Sequence, residues 1–412
     1  MITGKSECGI QYAVKRGRGS AGYCSLSIKC GTRDEKGYSA GIAHFIEHTL
    51  FKGTIKKKAS TINSYLDRLG GELNAYTTKE EIVLHATVLK EDLNKASDLL
   101  FELATCATFP APEIETEKSV VIDEINSYKD SPAEDIYDEF EEMLFKGHPL
   151  SSPILGSVSS VKKIRQNELL KFTEEKFNPW KMAFTVVADI DEKTLEKRIL
   201  KTIGKWFPSV KYQTCTCTEM PEKRLPDIQI FDKTVNKKNH QVNCIIGGLA
   251  PSLYEEKERL TTILLCNILG GPASNSILNA SLREKYGWVY GVECSYTQYS
   301  DTGIVAICLG CDKENLEKCI KMIEKEISKL QESPLSERKL KAAKKQIFGQ
   351  LAISSDSGEA QCLSMGKSLL AYGKIMSESE SREKIESITA EELQNIAKKV
   401  FCKDRLSKLT FL

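Results

Sequence analysis

The stretch Gly41–Thr54 reads GIAHFIEHTLFKGT and places His44, Glu47 and His48 within five residues. On an α-helix the two histidines stand at positions i and i+4, so their imidazoles project from one face and can bind a single metal ion. Glu47 then projects beside that pair. The opposite side of the helix carries three apolar residues that can anchor it in a core: Ala43, Ile46 and Leu50. The pattern therefore predicts a helix with a metal-binding face turned towards a cavity.

This H-x-x-E-H order is the reverse of the more common zinc-protease order and is typical of inverzincins. In such sites zinc lowers the pKa of its bound water to about 7, and the glutamate takes the proton as the water attacks a peptide carbonyl. A buried helix whose histidines are satisfied core residues would show the same spacing. The motif by itself leaves both interpretations open.

Length and composition limit the remaining possibilities. A chain of 412 residues fits two domains of about 200 residues, and we expect domains at 1–208 and 224–412 joined by a linker at 209–223. The net charge of +1 with 28% charged residues predicts neither a nucleic-acid surface nor a polybasic membrane surface. The first twenty residues contain no apolar signal region, and no run of 18 apolar residues occurs. We therefore expect a cytoplasmic protein with its 14 cysteines reduced.

A second informative helix is predicted over Glu113–Tyr128. At 100° per residue its apolar positions fall within an arc that also contains Glu117 and Glu124, two turns apart: Ile114, Val120, Val121, Ile125 and Tyr128. Inward carboxylates are costly unless they are paired, hydrogen-bonded or bound to metal. Glu117 and Glu124 thus supply a candidate third ligand and a neighbouring carboxylate, while salt bridges to lysines of an adjacent helix are the weaker alternative.

The second half of the chain repeats the order of the first: strands, a pair of helices, strands, then more helices. This repetition indicates duplication and predicts an α+β protein of two homologous domains. The second half has no HxxEH, because its only histidine is His240. One CxxC pair, Cys308 and Cys311, offers a weak alternative zinc site, since residues three apart on a strand point to opposite faces.

Several stretches, taken in order, resemble the pitrilysin/insulinase family of zinc peptidases, and specifically its short branch with the mitochondrial processing peptidase and bacterial processing-protease-like peptidases. They are HFIEHTLFKGT, LGGELNAYT, EKSVVIDEI, HPLSSPILG, and LREKYGWVYGV after a glycine-containing ILGGP. The resemblance covers nearly the whole chain. It implies that each domain is a mostly antiparallel sheet packed with helices. ILGGP contains fewer glycines than the substrate-loading loop of the processing peptidase, which argues against recognition of presequences.

The resemblance also implies roles for individual residues. It makes His44, His48 and Glu124 the ligands of one zinc ion per chain and Glu47 the general base. It makes Glu117 a carboxylate that orients a ligand, and the inward arc described above agrees with both glutamate assignments.

Substrate contacts are implied at two further places. Asn74 and Ala75 match the edge strand with which the family pairs an extended peptide. Arg283 and Tyr290 match a distal pair that contacts substrate, where arginine can hold a carbonyl and a tyrosine hydroxyl can donate to a developing oxyanion. In relatives this pair comes from the half that faces the zinc half. Because this chain holds both sets, the resemblance implies a homodimer with each site completed in trans.

The sequence therefore predicts a zinc-dependent endopeptidase that hydrolyses peptides or unfolded segments inside a closed dimer chamber. The alternative from another class is a catalytically silent structural or assembly subunit. Silent members usually lack the motif residues, whereas His44, Glu47, His48 and Glu124 are all present. A partner-dependent half-enzyme is disfavoured because Arg283 and Tyr290 are present as well.

Overall fold

A computed structural model of the chain describes residues 1–208, 229–237 and 239–412. The predicted linker at 209–223 lies outside these residues. The strands are β1 (Ile2–Lys5), β2 (Gln11–Arg16), β3 (Ala21–Ile28), β4 (Glu72–Thr77), β5 (Ile82–Leu89), β6 (Met182–Ala188), β7 (Asp232–Val235), β8 (Val242–Ala250), β9 (Val289–Gln298), β10 (Gly303–Cys311) and β11 (Ser407–Phe411). The helices are α1 (Ile42–Leu50), α2 (Ala59–Asp67), α3 (Leu93–Cys106), α4 (Ala111–Lys129), α5 (Pro132–Leu144), α6 (Val158–Val161), α7 (Gln166–Lys176), α8 (Glu192–Trp206), α9 (Glu256–Gly270), α10 (Leu316–Glu332), α11 (Glu337–Ser355), α12 (Gly358–Tyr372), α13 (Glu378–Glu386) and α14 (Ala390–Val400).

The strands of the described residues form two mixed sheets with a shared topology. The first has the order β1-β2-β6-β3-β5-β4, and the second has the order β7-β11-β8-β10-β9. If β1 is left out and the remaining strands of each half are counted in chain order, both sheets have the order first, fifth, second, fourth, third. In both sheets the first and last of these strands pair in parallel, β2 with β6 and β7 with β11, and the other neighbours are antiparallel. This correspondence supports duplication of one unit.

Strand β6 shows why the first sheet is buried on both faces. All seven of its residues are buried. Phe184 and Val186 belong to the core cluster that includes residues of α3, whereas Ala183 and Val187 pack with α12 on the other face. A strand covered on both faces is expected to be a continuous apolar run, as MAFTVVA nearly is.

Two compact units divide the described residues, and neither is continuous in sequence. The first comprises the described residues of Met1–Asn126, Ser152–Thr218 and Ala352–Met376, and the second those of Ser127–Ser151, Glu219–Leu351 and Ser377–Leu412. Helix α5 therefore belongs with the second sheet, and α12 belongs with the first. The boundaries 1–208 and 224–412 stay a prediction about homologous halves, since the compact units group the residues differently.

The predicted α+β class with two sheets packed with helices is confirmed, while some local predictions were wrong. Strand β1 was not predicted, and the stretch Asn279–Lys285 is π-helical. In α4, Val120 and Tyr128 are 45% and 40% exposed, so they do not belong to the buried arc. No described helix is long and apolar enough to span a membrane.

Candidate active site and metal centre

Helix α1 is held in place by the core behind it and by Glu35 at its N-terminus. Its predicted apolar residues Ala43, Ile46 and Leu50 are fully buried in the core of the first unit. At its N-terminus Glu35 accepts hydrogen bonds from the backbone N–H groups of Gly41 and Ala43, both at 2.9 Å. Because α1 begins without a side-chain cap, Glu35 satisfies two donors that would otherwise be buried and unpaired.

Gly41 is required at the start of α1. Its φ of 85° lies in the left-handed region, and a Cβ there would stand 2.6 Å from the backbone oxygen of Leu155.

Burial raises the pKa of Glu35 to about 8, although the two N–H donors oppose the shift. Sequence analysis did not identify Glu35; the only available signal was an acidic residue shortly before a helix that lacks a capping side chain.

Helix α4 brings Glu124 to the two histidines. Glu124 Oε2 lies 3.7 Å from His44 Nε2 and 3.4 Å from His48 Nε2. One ligand atom from each of the three residues lies within 4.8 Å of the other two, and no other such group occurs in the described part of the chain. Ligands at about 2.05 Å in a tetrahedral zinc site stand ~3.4 Å apart, so the spacing fits such an ion.

The chemistry of the donors points the same way. Glu124 Oε2 is buried and has no hydrogen-bond partner among the described residues, which leaves a costly uncompensated acceptor unless a cation binds there. Burial, with a smaller effect from His48, lowers the pKa of His44 to about 3. His44 is therefore neutral at physiological pH, and a neutral imidazole is the form that binds a metal.

Glu117 fixes the orientation of His48. Its Oε1 lies 2.9 Å from His48 Nδ1, and its Oε2 lies 2.6 Å from Lys52 Nζ. With the proton on Nδ1, His48 directs the lone pair of Nε2 towards Glu124 and His44. Burial favours a higher pKa for Glu117, but the hydrogen bonds from His48 and Lys52 outweigh it and lower the pKa below its usual value. Glu117 is 4% exposed and thus acts as a buried anion held by two donors.

Lys52 was missed by sequence analysis. It follows His48 by four residues, and its ammonium group neutralises Glu117. The i, i+4 spacing from His48 was the available signal.

Burial lowers the pKa of His48, but the hydrogen bond to Glu117 and the surrounding carboxylates, including Glu47, produce a net rise.

Glu47 lies beside the histidines and outside the ligand group. Its Oε2 accepts a hydrogen bond of 3.1 Å from Thr77 Oγ1, at the end of β4. Burial raises the pKa of Glu47 above its ordinary value, which moves it towards neutrality, the range that suits a general base. A carboxylate held by one donor, next to a metal-type site, can accept a proton from water there.

Strand β4 carries Asn74 and Ala75 along a pocket beside Glu47. The pocket has a volume of about 450 Å³ and is lined by Glu47, His48, Phe51, Lys52, Asn63, Asp67, Leu73, Asn74, Ala75 and Glu117. Within the described residues β4 pairs only with β5, so it is an edge strand. Its free backbone groups can accept an extended peptide as an additional strand.

Arg283 and Tyr290 lie in the second unit. Arg283 is exposed in the π-helical stretch Asn279–Lys285, and Tyr290 is 60% exposed on β9. The Tyr290 hydroxyl donates a 3.3 Å hydrogen bond to Asp312 Oδ1. Both side chains are therefore accessible to a ligand. Cys311 is buried on β10 and Cys308 is partly buried. Among the described residues, neither belongs to a group of side chains that could hold a metal ion.

Together, the fold and the His44, His48 and Glu124 group with its adjacent glutamate define a metallopeptidase. Residues 14–158 match the family model described as "Insulinase (Peptidase family M16)", and residues 163–347 match "Peptidase M16 inactive domain". A protein named "Uncharacterized zinc protease" from Rickettsia felis is 30% identical over 377 residues, which cover 92% of this chain and 89% of that protein. The chain belongs to the insulinase family of peptidases, family M16.

A second relative agrees with this assignment, and two solved structures share the fold. "Uncharacterized zinc protease YmxG" of Bacillus subtilis is 29% identical over 378 residues, covering 92% of this chain and 90% of its own. The crystal structure of a protease from Helicobacter pylori superposes with a TM-score of 0.88 at 19% identity and covers 100% of this chain and 98% of that chain. A peptidase M16 inactive domain from Pseudomonas fluorescens also gives 0.88 at 19% identity, covering 100% and 97%. The last two comparisons bear on the fold alone.

Proposed function

We propose that the protein is a zinc-dependent endopeptidase that hydrolyses peptides or unfolded segments. The observation that carries this proposal is the convergence of His44, His48 and Glu124 within 4.8 Å, with Glu47 beside them. Zinc bound there would supply a Lewis acid that polarises the peptide carbonyl and lowers the pKa of water to about 7. Relatives at 29–30% identity are named zinc proteases, which supports zinc as the metal.

The protein's own residues then have separate tasks. Glu47 accepts the proton of the attacking water at a carboxylate oxygen and returns it to the nitrogen of the leaving amine. Thr77 holds Glu47 through its 3.1 Å hydrogen bond. The free edge of β4, at Asn74 and Ala75, holds the peptide backbone in an extended conformation across the site.

We further propose one zinc ion per chain. Helix α9 contacts the edge strand β9 as α1 contacts the edge strand β4, so the shared topology makes α9 the counterpart of the motif helix. Helix α9 contains no histidine, and the second half of the sequence has only His240. A duplicated site would lack both imidazoles, which supports a single ion.

The active form is proposed to be a homodimer that encloses substrate in a chamber. The exposed Arg283 and Tyr290 would reach the substrate bound at the zinc site of the partner chain, where the arginine holds a carbonyl and the tyrosine donates to the developing oxyanion. A silent structural subunit is less well supported, because a partly buried carboxylate next to three convergent ligands serves no evident purpose in it. The cytoplasmic location stays a prediction from the sequence.

Digestion of a mixed peptide library tests the proposed activity. The purified protein should produce internal cleavages that mass spectrometry detects. These cleavages should disappear after treatment with a chelator and return when zinc is added, because the nucleophile depends on the metal. Glu47→Gln purified in the same way controls for contaminating proteases, because it would carry the same contaminants without the proposed base. Cleavage that persists in chelator, or no cleavage with zinc present, would contradict a zinc peptidase.

Mixing two inactive variants tests completion of the site in trans. Glu47→Gln lacks the base, and Tyr290→Phe lacks the oxyanion donor, so each homodimer should be impaired. A mixed dimer should contain one site with both groups intact, and activity should recover to at most about half of the wild-type value for that dimer. Subunit exchange is verified by native mass spectrometry. If mixed dimers form and no activity returns, the two groups do not act across an interface.

A further inference from the structure

We propose that a groove between helices α11 and α13 binds an amphipathic anion, specifically a medium-chain alkyl carboxylate. The groove has a volume of about 570 Å³, which is the size of a small-molecule site. All of its lining residues belong to the second compact unit, and none of them belongs to the zinc site. The proposal therefore goes beyond the peptidase function and does not depend on it.

The floor of the groove is apolar and elongated. Leu340 belongs to the core of the second unit, and Phe348 packs against that core while it stays partly exposed. The two residues lie eight positions apart on one face of α11, about 12 Å along the helix axis. Lys344 lies midway between them on the same face and adds its aliphatic stem to the floor. A long apolar chain would cover this strip, whereas a compact ring would cover only part of it.

The ammonium group of Lys344 holds the two walls of the groove together. Its Nζ donates hydrogen bonds to the backbone oxygens of Glu386 at 2.7 Å and of Ile388 at 2.6 Å. These two carbonyls lie at the C-terminal end of α13, where helix geometry leaves carbonyl groups without intrahelical donors. Lys344 therefore joins α11 to α13, and the groove is formed before any ligand enters.

Three other cations of the lining keep donors that a ligand could use. Lys341 and Lys345 lie one turn apart on α11, and neither forms a hydrogen bond or ion pair with any residue that the structure describes. On α13, Arg382 donates from Nε to Glu386 Oε1 at 3.0 Å, and its guanidinium group lies 4.8 Å from the centre of the Phe348 ring. Among the described residues its terminal nitrogens have no acceptor. Donors therefore remain at the Phe348 end of the apolar floor.

The balance of charge selects an anion. Four cations line the groove against two carboxylates, those of Glu337 and Glu386, and Glu386 is already paired with Arg382. A neutral apolar ligand would fill the floor and leave the cations unpaired, and an inorganic anion would do the reverse. An alkyl carboxylate satisfies both parts, with its chain along the floor and its head group between Arg382 and Lys345. Arginine is well suited to this contact because its planar group can bind a carboxylate with two parallel hydrogen bonds.

Displacement of a fluorescent alkyl carboxylate, dansylaminoundecanoate, from the full-length protein tests the site. Octanoate, decanoate and dodecanoate, each below its micelle concentration, should compete with an affinity that rises at most about fourfold for each methylene group buried on the floor. Dodecanol and dodecyltrimethylammonium, which keep the chain and change the head group, should bind about 2- to 20-fold more weakly than dodecanoate. Equal affinities for the three head groups would refute selection of an anion. Absence of saturable displacement by dodecanoate would refute the site itself.

Two charge-reversal variants locate the bound ligand. Lys341→Glu combined with Lys345→Glu should weaken dodecanoate binding by at least about tenfold, because two favourable ion pairs become two repulsive ones. Lys321→Glu combined with Lys325→Glu is the matched control: these lysines are also exposed and one turn apart, on α10, and they do not line the groove. The control should keep the wild-type affinity, and circular dichroism verifies that both variants are folded.

Two outcomes of this comparison would overturn the proposal. Unchanged binding in the Lys341 and Lys345 variant, or equal weakening in the control, would mean that the carboxylate binds elsewhere. Displacement of the fluorescent ligand by an acidic amphipathic peptide, with no displacement by dodecanoate, would assign the groove to a protein partner.

Discussion

Replacing Glu47 with glutamine is expected to lower kcat about 10²- to 10⁴-fold while the protein keeps its zinc. Glu47 is not part of the ligand group of His44, His48 and Glu124, so the metal site loses none of its donors. The glutamine side chain has the same shape and an oxygen that can still accept the hydrogen bond from Thr77. The variant lacks only the carboxylate that accepts a proton from water.

Two measurements on the same preparation check this expectation. Elemental analysis after dialysis should give the same zinc content for Glu47→Gln and the wild type, and cleavage of a quenched fluorescent peptide should give the fall in kcat. Thr77→Val is a useful companion, because it removes the donor to Glu47 and keeps the base. It should cost less activity than Glu47→Gln. Wild-type turnover in Glu47→Gln would exclude Glu47 as the base, and loss of zinc would instead assign it to the metal site.

The motif helix could be predicted from sequence because its information is local. The i, i+4 spacing of the histidines and the apolar residues behind them depend only on helical geometry. The structure places Ala43, Ile46 and Leu50 in the core as that geometry requires. The contacts that complete the site are not local: Glu35 reaches the helix start through a loop, and Thr77 approaches Glu47 from a separate strand. No periodicity in the sequence encodes such contacts.

Helix α4 shows where the periodic argument reaches its limit. Helical periodicity placed Glu117 and Glu124 in the inward arc, and both lie next to His48. The same periodicity placed Val120 and Tyr128 in that arc, yet both are exposed. Lys118 is 5% exposed instead, with its ammonium group bound to Glu115. Periodicity gives the direction of each side chain, whereas burial depends on the elements that happen to cover that direction. Helix α5 packs in the second compact unit and α12 in the first, although each lies in the other half of the sequence. Periodicity could not predict this either, because it does not say which sheet a helix covers.

Replacing Glu124 with glutamine should weaken zinc binding by more than ~100-fold, and replacing Glu117 with glutamine should weaken it ~10- to 100-fold. Glu124 supplies a donor atom to the metal-type group, so its substitution removes one of three ligands and the charge that balances the ion. Glu117 acts through His48, and its loss would free the imidazole to rotate and leave the ammonium group of Lys52 unpaired. The two substitutions are isosteric and sit on one helix, so their difference reports the roles of the carboxylates.

Asp123→Asn is the matched control, because Asp123 is exposed and adjacent to Glu124 on α4. It removes the same charge from the same helix and should leave zinc affinity unchanged. Competition with a fluorescent zinc chelator measures all three affinities, and circular dichroism verifies that each variant is folded. Added zinc should restore activity to Glu117→Gln at lower concentrations than to Glu124→Gln. Wild-type affinity in Glu124→Gln would place the third ligand elsewhere, and equal losses in both glutamate variants would remove the distinction between a ligand and a residue that positions one.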